Sequence, residues 1–291
     1  MSKVAIVTDS CASIPGKLIN NLNIHIVPYY IHWGKKVWRD LVSIQPAEFY
    51  EWLPTVQNLP TTASPGPGDY VKMYTQAVET EEISEIVSIH MTSKGSGAYQ
   101  AARTASTIVQ ETFPDIVIQI IDTLNVSMCH GWMVIEAARA ALNGASADQI
   151  VTLVERMIPK TIMLQTADTL KYLYMGGRIG QAKRLVGTLL NIKPIISMQD
   201  GLIVSLGQAR SRKRAYQMMV DNIESTVGKL GRIKVAYVHA AAFDEIQQLK
   251  DLVEARFDCV ESIITQLSPA LGVHTGPGTA GVCYYPVVPT S

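Results

Sequence analysis

Four short runs of aliphatic and β-branched residues recur in the first half of the chain, with helix-like patterns between most of them. The runs are residues 4–8, 24–31, 83–89 and 116–121. Strands that alternate with helices usually pair in parallel, and near-continuous apolar strands need a helical cover on both faces. The pattern therefore predicts an α/β N-terminal domain in which helices lie on both faces of a parallel sheet.

The second half of the chain has a different pattern of apolar runs and turns. Asp200-Gly201, a dipeptide that favours a hairpin, separates two apolar runs. The predicted strands are residues 161–165, 195–198, 202–206, 233–239 and 260–266, and the predicted helices are residues 211–227 and 244–256. An antiparallel pair within this set predicts a smaller C-terminal domain of the α+β class.

The boundary between the two domains is expected just after a helix. Asn143-Gly144 stops the preceding helix, Ser146 caps a helix through Arg156, and Pro159 lies just beyond its end. We therefore predict domains at residues 1–157 and 158–291. The proline-rich residues 54–68 predict a long loop, and long loops in compact domains are often functional.

Charge and cysteine content disfavour several classes of protein. The 25 Lys and Arg residues balance the 25 Asp and Glu residues, so no overall basic surface indicates a nucleic-acid partner. The four cysteines are far apart and form no CxxC pair, which favours reduced thiols and a cytoplasmic location. The N-terminal residues lack the apolar segment of a signal peptide. The most apolar stretch, residues 116–135, has too many polar side chains to span a membrane, so we expect a soluble protein.

Polar clusters follow several predicted strands, at the edge of an open α/β sheet where ligands bind. The most informative is Gly95-Ser96-Gly97, which leads into a helical pattern at residues 99–109. Backbone amides at a helix start, the helix dipole and the Ser96 hydroxyl together favour an anion. The alternative is that Ser96 only caps the helix. The other clusters are Thr8-Asp9-Ser10, residues 61–65, Asp122-Thr123 with Ser127, and residues 274–278.

Motifs for catalytic, cofactor and metal sites are largely missing from the sequence. The chain has no phosphate-binding loop with GK followed by Ser or Thr, no GxGxxG and no GxSxG. Its six histidines show no metal-ligand spacing, so we expect no metal. His274 stands out because Gly272 and Gly276 flank it in a predicted loop, where a side chain can face a ligand. A serine hydrolase stays open as an alternative, since Ser10 and Ser96 coexist with acidic residues and with this histidine.

Two basic groups occur in the second half of the chain. The first contains Arg178, Lys183, Arg184 and Lys193, and the second contains Arg210, Arg212, Lys213 and Arg214. Such charges are most simply a solvated helix face. The alternative is a docking surface for an acidic partner, or for anionic lipid head groups in transient contact with a membrane surface.

Taken together, the motifs resemble those of the DegV family of fatty-acid-binding proteins, and the resemblance extends from end to end of the chain. In order they are VTDS at residues 7–10, TTASP at 61–65, SKGSGAYQAA at 93–102, IDTLNVSM at 121–128, LKYLYMGGRIG at 170–180, LLNIKPII at 189–196 and HTGPG at 274–278. Each motif alone is weak evidence, and the resemblance depends on their occurring in the same order as in the family.

The resemblance implies two α/β domains with an acyl pocket between them, closed by the C-terminal domain. In the family the carboxylate lies against the threonine of the loop motif and the serine of the SGxY motif, and the histidine of HTGPG and the arginine of GGRI lie near the pocket mouth. The ligand-binding residues expected here are Thr62, Ser96, Gly97, His274, Arg178, Arg210, Ser10 and Asp9.

The function implied by the resemblance is that of a lipid carrier and not of an enzyme. The ligand would be a long-chain fatty acid, no cofactor would be needed, and the bound acid would be presented to a separate fatty acid kinase that makes an acyl phosphate. The residues alone leave two alternatives: a serine-dependent acyl hydrolase, and a small-anion binder unrelated to lipids.

Overall fold

The computed structural model describes residues 4–81, 83–183 and 192–287 and divides the chain into two compact units. Unit 1 comprises Met1–Ile44 and Pro60–Pro159, and unit 2 comprises Gln45–Leu59 and Lys160–Ser291. The segment of residues 45–59 thus groups with the C-terminal half of the chain. The domain boundary at residues 157 and 158 stays a prediction.

The helices and strands follow one another along the described part of the chain. The first half contains β1 (Val4–Asp9), α1 (Gly16–Asn21), β2 (Ile24–Val27), β3 (Tyr30–Trp33), β4 (Lys36–Arg39), α2 (Pro46–Trp52), β5 (Thr61–Ala63), α3 (Pro67–Glu81), β6 (Glu85–His90), α4 (Ala98–Thr112), β7 (Val117–Asp122), α5 (Ser127–Leu142) and α6 (Ala147–Met157). The second half contains β8 (Ile162–Thr166), α7 (Lys171–Met175), β9 (Lys193–Gln199), β10 (Leu202–Ala209), α8 (Arg212–Val227), β11 (Arg232–His239), α9 (Phe243–Glu254), β12 (Asp258–Gln266), α10 (Pro269–Thr275) and β13 (Ala280–Pro286).

A parallel sheet of four strands, in the order β2-β1-β6-β7, forms the centre of unit 1. Residues 5–9 of β1 and 86–90 of β6 are buried without interruption, because side chains on both faces of these central strands are covered. Helices α3 and α4 pack against each other, as do α5 and α6, and both pairs contact the sheet. The predicted α/β fold class is confirmed.

The run at residues 24–31 is not the single strand expected from its apolar pattern. It forms β2, which joins the parallel sheet, and β3, which joins a separate antiparallel sheet in the order β4-β3-β5. Pro28 lies between the two strands and has no backbone N–H to donate to a ladder. The proline therefore marks the place where the chain changes sheets, and it leaves Tyr29 between them.

The predicted long loop at residues 54–68 is also more ordered than expected. It overlaps a 3-10 turn at Leu53–Thr55, contains all of β5 and reaches the start of α3. A three-residue strand carries almost no local signal, and β5 exists because it pairs with β3. This pairing fixes the position of Thr62.

Unit 2 is built on a mixed sheet in the order β10-β9-β8-β13-β11-β12, in which β11 and β12 are parallel and the other neighbours are antiparallel. Asp200-Gly201 forms the predicted hairpin between β9 and β10, with φ of 49° and 77°. Helices α8 and α9 contribute buried apolar residues to the same core as the central strands. The second unit therefore has the α+β character expected from the sequence, although β13 was not predicted.

Candidate functional site

The carboxyl ends of β1, β6 and β7 meet at one edge of the parallel sheet, and hydrogen bonds tie together the loops that leave them. The amide of Thr92 donates to the carbonyl of Asn125 at 2.9 Å. Asp122 accepts from the amide of Ser93 at 3.2 Å and from the amide of Leu124 at 2.9 Å. The polar residues predicted here therefore organise the sheet edge at which open α/β proteins bind ligands.

Ser96 stands at the beginning of α4, one residue before the N-cap residue Gly97. Its Oγ accepts a hydrogen bond from the amide of Ala98 at 3.2 Å, while Gly97 makes no side-chain capping contact. Ser96 is half-buried and Gly97 is exposed. The start of this 15-residue helix thus combines a hydroxyl with a favourable dipole, an arrangement that suits an anion.

Tyr29, which the sequence motifs did not indicate, is a direct partner of Ser96. Its phenol oxygen hydrogen-bonds with the Oγ of Ser96, and its side chain is buried. Burial raises the pKa of the phenol well above its ordinary value, and the charge of Asp9 adds to the increase. Tyr29 therefore stays protonated at neutral pH. A sequence signal that could have drawn attention to it is Pro28, which takes the chain out of the parallel sheet.

Ser10 holds the backbone of Tyr29 from inside the protein. The Oγ of Ser10 accepts from the amide of Tyr29 at 3.1 Å and donates to Oδ2 of Asp40 at 2.6 Å. The amide of Asp40 donates in turn to the carbonyl of Tyr29 at 2.9 Å. Ser10 is 1% exposed and Asp40 is fully buried. The hydroxyl of Ser10 is therefore engaged on both its donor and its acceptor side.

Asp9 is fully buried and is surrounded by hydrogen-bond donors. Its Oδ1 accepts from the amide of Cys11 at 3.0 Å, its Oδ2 accepts from the amide of Met91 at 3.1 Å, and Nδ1 of His90 lies 3.3 Å from Oδ2. Burial works to raise the pKa of Asp9, but His130 and the hydrogen bonds of His90 and Met91 lower it, and the net shift is downward. Asp9 is thus an ionised cap for the turn that follows β1.

Two buried histidines extend this polar network into the core of unit 1. Nε2 of His90 lies 2.8 Å from the Oγ of Ser88, which accepts from the phenol of Tyr74 at 2.8 Å. His130, on α5, has its Nε2 at 2.8 Å from Oγ1 of Thr8. Burial lowers the pKa of His130 and so favours its neutral form. These contacts are internal and support the end of β1.

Thr62 lies in β5 opposite Ile31 of β3 and is half-buried. Two residues further on, the Oγ of Ser64 lies 3.2 Å from the position that a Cβ on Gly97 would occupy. The segment that carries Thr62 therefore runs beside the start of α4, which follows Ser96. The structure brings the loop motif and the SGxY motif together in one part of unit 1.

His274 lies in the last turn of α10, and not in the loop expected from its flanking glycines. Its ring packs so closely on Gly176 that a Cβ at that glycine would clash with Nδ1. Burial lowers the pKa of His274 to about 4, and the positive charge of Arg178 contributes to the shift. Arg178 is exposed and donates to the carbonyl of Gly176 at 2.8 Å. The GGRI and HTGPG motifs thus pack together within unit 2, around a neutral histidine.

The arginines of the second basic group differ in how exposed they are to solvent. Arg210 is exposed, whereas Arg212 is largely buried. Nη2 of Arg212 lies 2.9 Å from Oδ2 of Asp168 and also donates to the carbonyl of Gly278. Burial works to lower the pKa of Arg212, but hydrogen bonds with Tyr216 and Asp168 raise it, and the net shift is upward. Arg212 therefore stabilises the turn formed by the HTGPG motif, and it does not lie on a fully solvated helix face.

Lys193, from the first basic group, pairs with Asp168 as well. The pKa of that carboxyl is lowered, because the hydrogen bonds of its two cationic partners outweigh the upward effect of burial. Lys183 is exposed, and Arg184 lies outside the described residues, as do residues 189–191 of the LLNIKPII motif.

Within the described residues, no group of three or more His, Cys, Asp or Glu side chains could hold a metal ion. The same part of the chain contains no helix with the length and apolar character needed to cross a membrane. The hydroxyl of Ser96 is hydrogen-bonded with a phenol and an amide, and that of Ser10 with a carboxylate and an amide. Neither arrangement is the histidine-activated serine of a hydrolytic triad.

These features define a class of protein: a two-unit α/β protein in which hydroxyls and a helix start form an anion-compatible site at a sheet edge. The model of one family, described as "Uncharacterised protein, DegV family", matches residues 3–287. The chain belongs to the DegV family.

Relatives of this chain are similar to it over nearly their whole length. A DegV domain-containing protein of Caldanaerobacter subterraneus subsp. tengcongensis is 31% identical over 284 residues, which cover 98% of this chain and 99% of the relative. The solved structure "Fatty Acid Binding of a DegV family Protein from Thermus thermophilus" has a TM-score of 0.90 at 29% identity and covers 98% of this chain and 100% of that chain. The structure "Crystal Structure of DegV, a fatty acid binding protein from Bacillus subtilis" has a TM-score of 0.89 at 26% identity, with 99% and 100% covered.

Proposed function

We propose that this protein binds one long-chain fatty acid and serves as its carrier. The observation that carries the proposal is that two solved members described as fatty-acid-binding match this chain over nearly its full length, at 29% and 26% identity. Burying roughly fifteen methylenes at about 0.8 kcal/mol each would contribute around 12 kcal/mol before the costs of association. The tail then supplies most of the affinity, and the carboxylate contacts fix the orientation.

The proposed carboxylate site is the start of α4. A carboxylate only accepts hydrogen bonds, and hydroxyls and backbone amides can donate them. Ser96 supplies one hydroxyl beside the exposed Gly97, and Thr62 supplies another from the segment that runs beside the helix start. Asp9 and Ser10 are buried and fully engaged with the protein. Their proposed role is therefore to support the site from the interior of unit 1.

The remaining proposed ligand-binding residues belong to unit 2. His274 is neutral near pH 7, so its imidazole can donate one hydrogen bond without adding charge. Arg178 and Arg210 are exposed cations. We propose that these two arginines attract the acidic head group or the partner that receives it.

The binding proposal is tested on protein expressed in bacteria, by native mass spectrometry followed by lipid extraction. We expect one fatty acid per chain. The double variant Thr62→Val/Ser96→Ala should bind palmitate at least about tenfold more weakly, because each hydrogen bond to a charged group contributes about 1.5–3 kcal/mol. Neither co-purified fatty acid nor binding of added palmitate would contradict the proposal.

A matched control comes from the same helix. The double variant Thr104→Val/Ser106→Ala removes the same two chemical groups from α4, where they donate only to the carbonyls of Gln100 and Arg103. Its affinity for palmitate should equal that of the wild type. Weakening equal to that of the site variant would indicate a general effect on the helix.

We further propose that the bound acid is presented to a fatty acid kinase, with Arg178 and Arg210 in the docking face. Reversal of both charges, Arg178→Glu/Arg210→Glu, should slow kinase-dependent formation of acyl phosphate without abolishing fatty-acid binding. Lys229→Glu is the control, because Lys229 is also an exposed cation of unit 2. Unchanged rates in the double variant would count against this docking face.

Transient contact with an anionic membrane surface is a separate proposal for the same cations. Flotation with phosphatidylglycerol vesicles should recover more protein than flotation with phosphatidylcholine vesicles, and the difference should shrink as salt is raised. Equal recovery from both vesicles would argue against it.

The hydrolase alternative receives no support from the contacts of Ser96 or Ser10. We expect no turnover of p-nitrophenyl palmitate by the purified protein. Turnover that disappears in Ser96→Ala would replace the carrier proposal with a catalytic one.

A further inference from the structure

Tyr29 is anchored in the interior of unit 1 through both ends of its backbone. Its amide donates to the Oγ of Ser10 at 3.1 Å, and its carbonyl accepts from the amide of Asp40 at 2.9 Å. The Oγ of Ser10 also donates to Oδ2 of Asp40 at 2.6 Å, and both of these residues are buried. Three hydrogen bonds therefore fix the position from which the buried phenol of Tyr29 extends.

Tyr29 lies between the two segments that carry the proposed head-group hydroxyls. Its phenol oxygen hydrogen-bonds with the Oγ of Ser96, just before α4. Along the chain Tyr29 directly precedes β3, in which Ile31 pairs with Thr62 of β5. The contact with Ser96 therefore ties the antiparallel sheet β4-β3-β5 to the start of α4. This holds whichever of the two oxygens is the donor.

The hydroxyl of Ser96 is held from two sides. A serine side chain has three staggered rotamers, which direct its hydroxyl to three different places. Here the phenol of Tyr29 contacts the Oγ of Ser96, and the amide of Ala98 donates to the same atom at 3.2 Å. Because the ordering of side chains on binding costs free energy, a hydroxyl that is already ordered increases affinity.

We propose that Tyr29 is a positioning residue, which holds the hydroxyl of Ser96 at a fixed separation from that of Thr62 so that both can donate to one carboxylate. The inference rests on the proposed function, because it takes Ser96 and Thr62 as contacts of the head group. Tyr29 acts through Ser96 and need not touch the ligand. Without the phenol, Ser96 is still present, but its hydroxyl has to be ordered each time a ligand binds.

The test compares the affinities of delipidated wild type, Tyr29→Phe and Tyr74→Phe for palmitate. Tyr29→Phe should bind palmitate about three- to tenfold more weakly, a loss of the size expected for one hydrogen bond between uncharged groups. Tyr74 is the matched control, since its phenol is also buried in unit 1 but donates to Ser88. Tyr74→Phe should bind palmitate as the wild type does. Equal affinity of Tyr29→Phe and the wild type would overturn the inference.

A double-mutant cycle separates positioning from general damage to the fold. In a Ser96→Ala background, Tyr29→Phe should have no further effect on the affinity for palmitate, because the phenol then has no hydroxyl to hold. Damage elsewhere in the protein would persist in that background. The same loss of affinity with and without the Ser96 hydroxyl would therefore overturn the inference.

Hydrogen exchange gives a readout that needs no ligand. The amide of Ala98 donates to the Oγ of Ser96, so in ligand-free protein this amide should exchange faster in Tyr29→Phe than in the wild type or Tyr74→Phe. Equal exchange in the three proteins would overturn the inference. Failure of the wild type to bind palmitate would contradict the proposed function instead, and the exchange of Ala98 would then decide whether Tyr29 holds Ser96.

If circular dichroism shows that Tyr29→Phe is unfolded, the wild type decides. Saturation with palmitate should slow the exchange of the Tyr29 amide more than that of the Tyr74 amide, because of these two residues it is Tyr29 that is tied to Ser96. Equal slowing of the two amides would overturn the inference.

Discussion

Gly276 and Gly228 share one backbone conformation in different surroundings. Their φ and ψ are 72° and 167° at Gly276 and 79° and 175° at Gly228, in a region that essentially only glycine adopts. A Cβ at Gly276 would overlap the ring of Tyr172, whereas a Cβ at Gly228 would meet nothing within 4 Å. The pair therefore separates backbone strain from crowding.

We expect Gly228→Ala to lower the free energy of unfolding by about 1–3 kcal/mol, because of backbone strain alone. Gly276→Ala should lower it by about 1–3 kcal/mol more, because the Tyr172 ring must move. Chemical denaturation of both variants measures the difference. Equal losses of unfolding free energy in the two variants would show that the Tyr172 ring moves without an energetic cost.

His274 makes stability depend on pH. Its folded-state pKa of about 4 lies below the ordinary value of 6.5. Between pH 6.5 and pH 4 this histidine is therefore protonated in the unfolded chain but stays neutral in the folded chain. The stabilising contribution of this residue is therefore fully present above pH 6.5 and is lost as the pH falls toward 4. His274→Gln should flatten that part of the pH profile of thermal unfolding, while His32→Gln serves as the control. Identical slopes in the wild type and His274→Gln would contradict the assignment.

At the scale of elements, α6 shows how a local signal sets a boundary. Ser146 accepts from the amide of Gln149 at 3.4 Å, and the side chain of Gln149 accepts from the amide of Ser146 at 2.9 Å, which completes a capping box. Ser146→Ala should cost about 1 kcal/mol of unfolding free energy. Ser225→Ala, in α8, removes a hydroxyl that donates to the carbonyl of Asn222 and caps no helix start, so it should cost clearly less. Equal losses in the two variants would remove the N-cap as the cause.

The elements that could be predicted from the sequence are those with their own periodicity or caps. The runs that form β1, β6 and β7, helix α6 and the Asp200-Gly201 hairpin belong to this set. Strand β13 could not be predicted in this way, because its small residues are needed for close packing against a neighbouring strand. A Cβ on Gly281 would clash with the carbonyl oxygen of Leu164 on that strand. Helix α10 could have been predicted from the sequence, because Ser268 is its N-cap residue and Pro269 occupies its first turn.

At the scale of the whole molecule, the sequence indicated which segments belong to the candidate site but not which hydrogen bonds connect them. The segments around Thr62 and Ser96 were expected from their motifs, and unit 1 brings these segments together. Tyr29 was missed because its importance depends on a phenol reaching a serine 67 positions away. Asp9 and Ser10 stay predictions as ligand contacts; both side chains are buried, and the hydroxyl of Ser10 accepts from the amide of Tyr29.

Binding of a buried tail should couple ligand length to the stability of the folded protein. A ligand that binds only the folded state stabilises it by about 2.7 kcal/mol at 100 times its dissociation constant. Removing two methylenes should weaken binding by about 1.6 kcal/mol, because each buried methylene contributes about 0.8 kcal/mol. Thermal unfolding of delipidated protein at equal concentrations of palmitate and myristate should therefore show a smaller increase in Tm with myristate. Thr62→Val/Ser96→Ala should reduce both increases by a similar amount and keep the difference between them, since it alters only the head-group contacts. Equal increases for the two acids in the wild type would mean that the tail is not buried, and the proposed carrier would lose its main source of affinity.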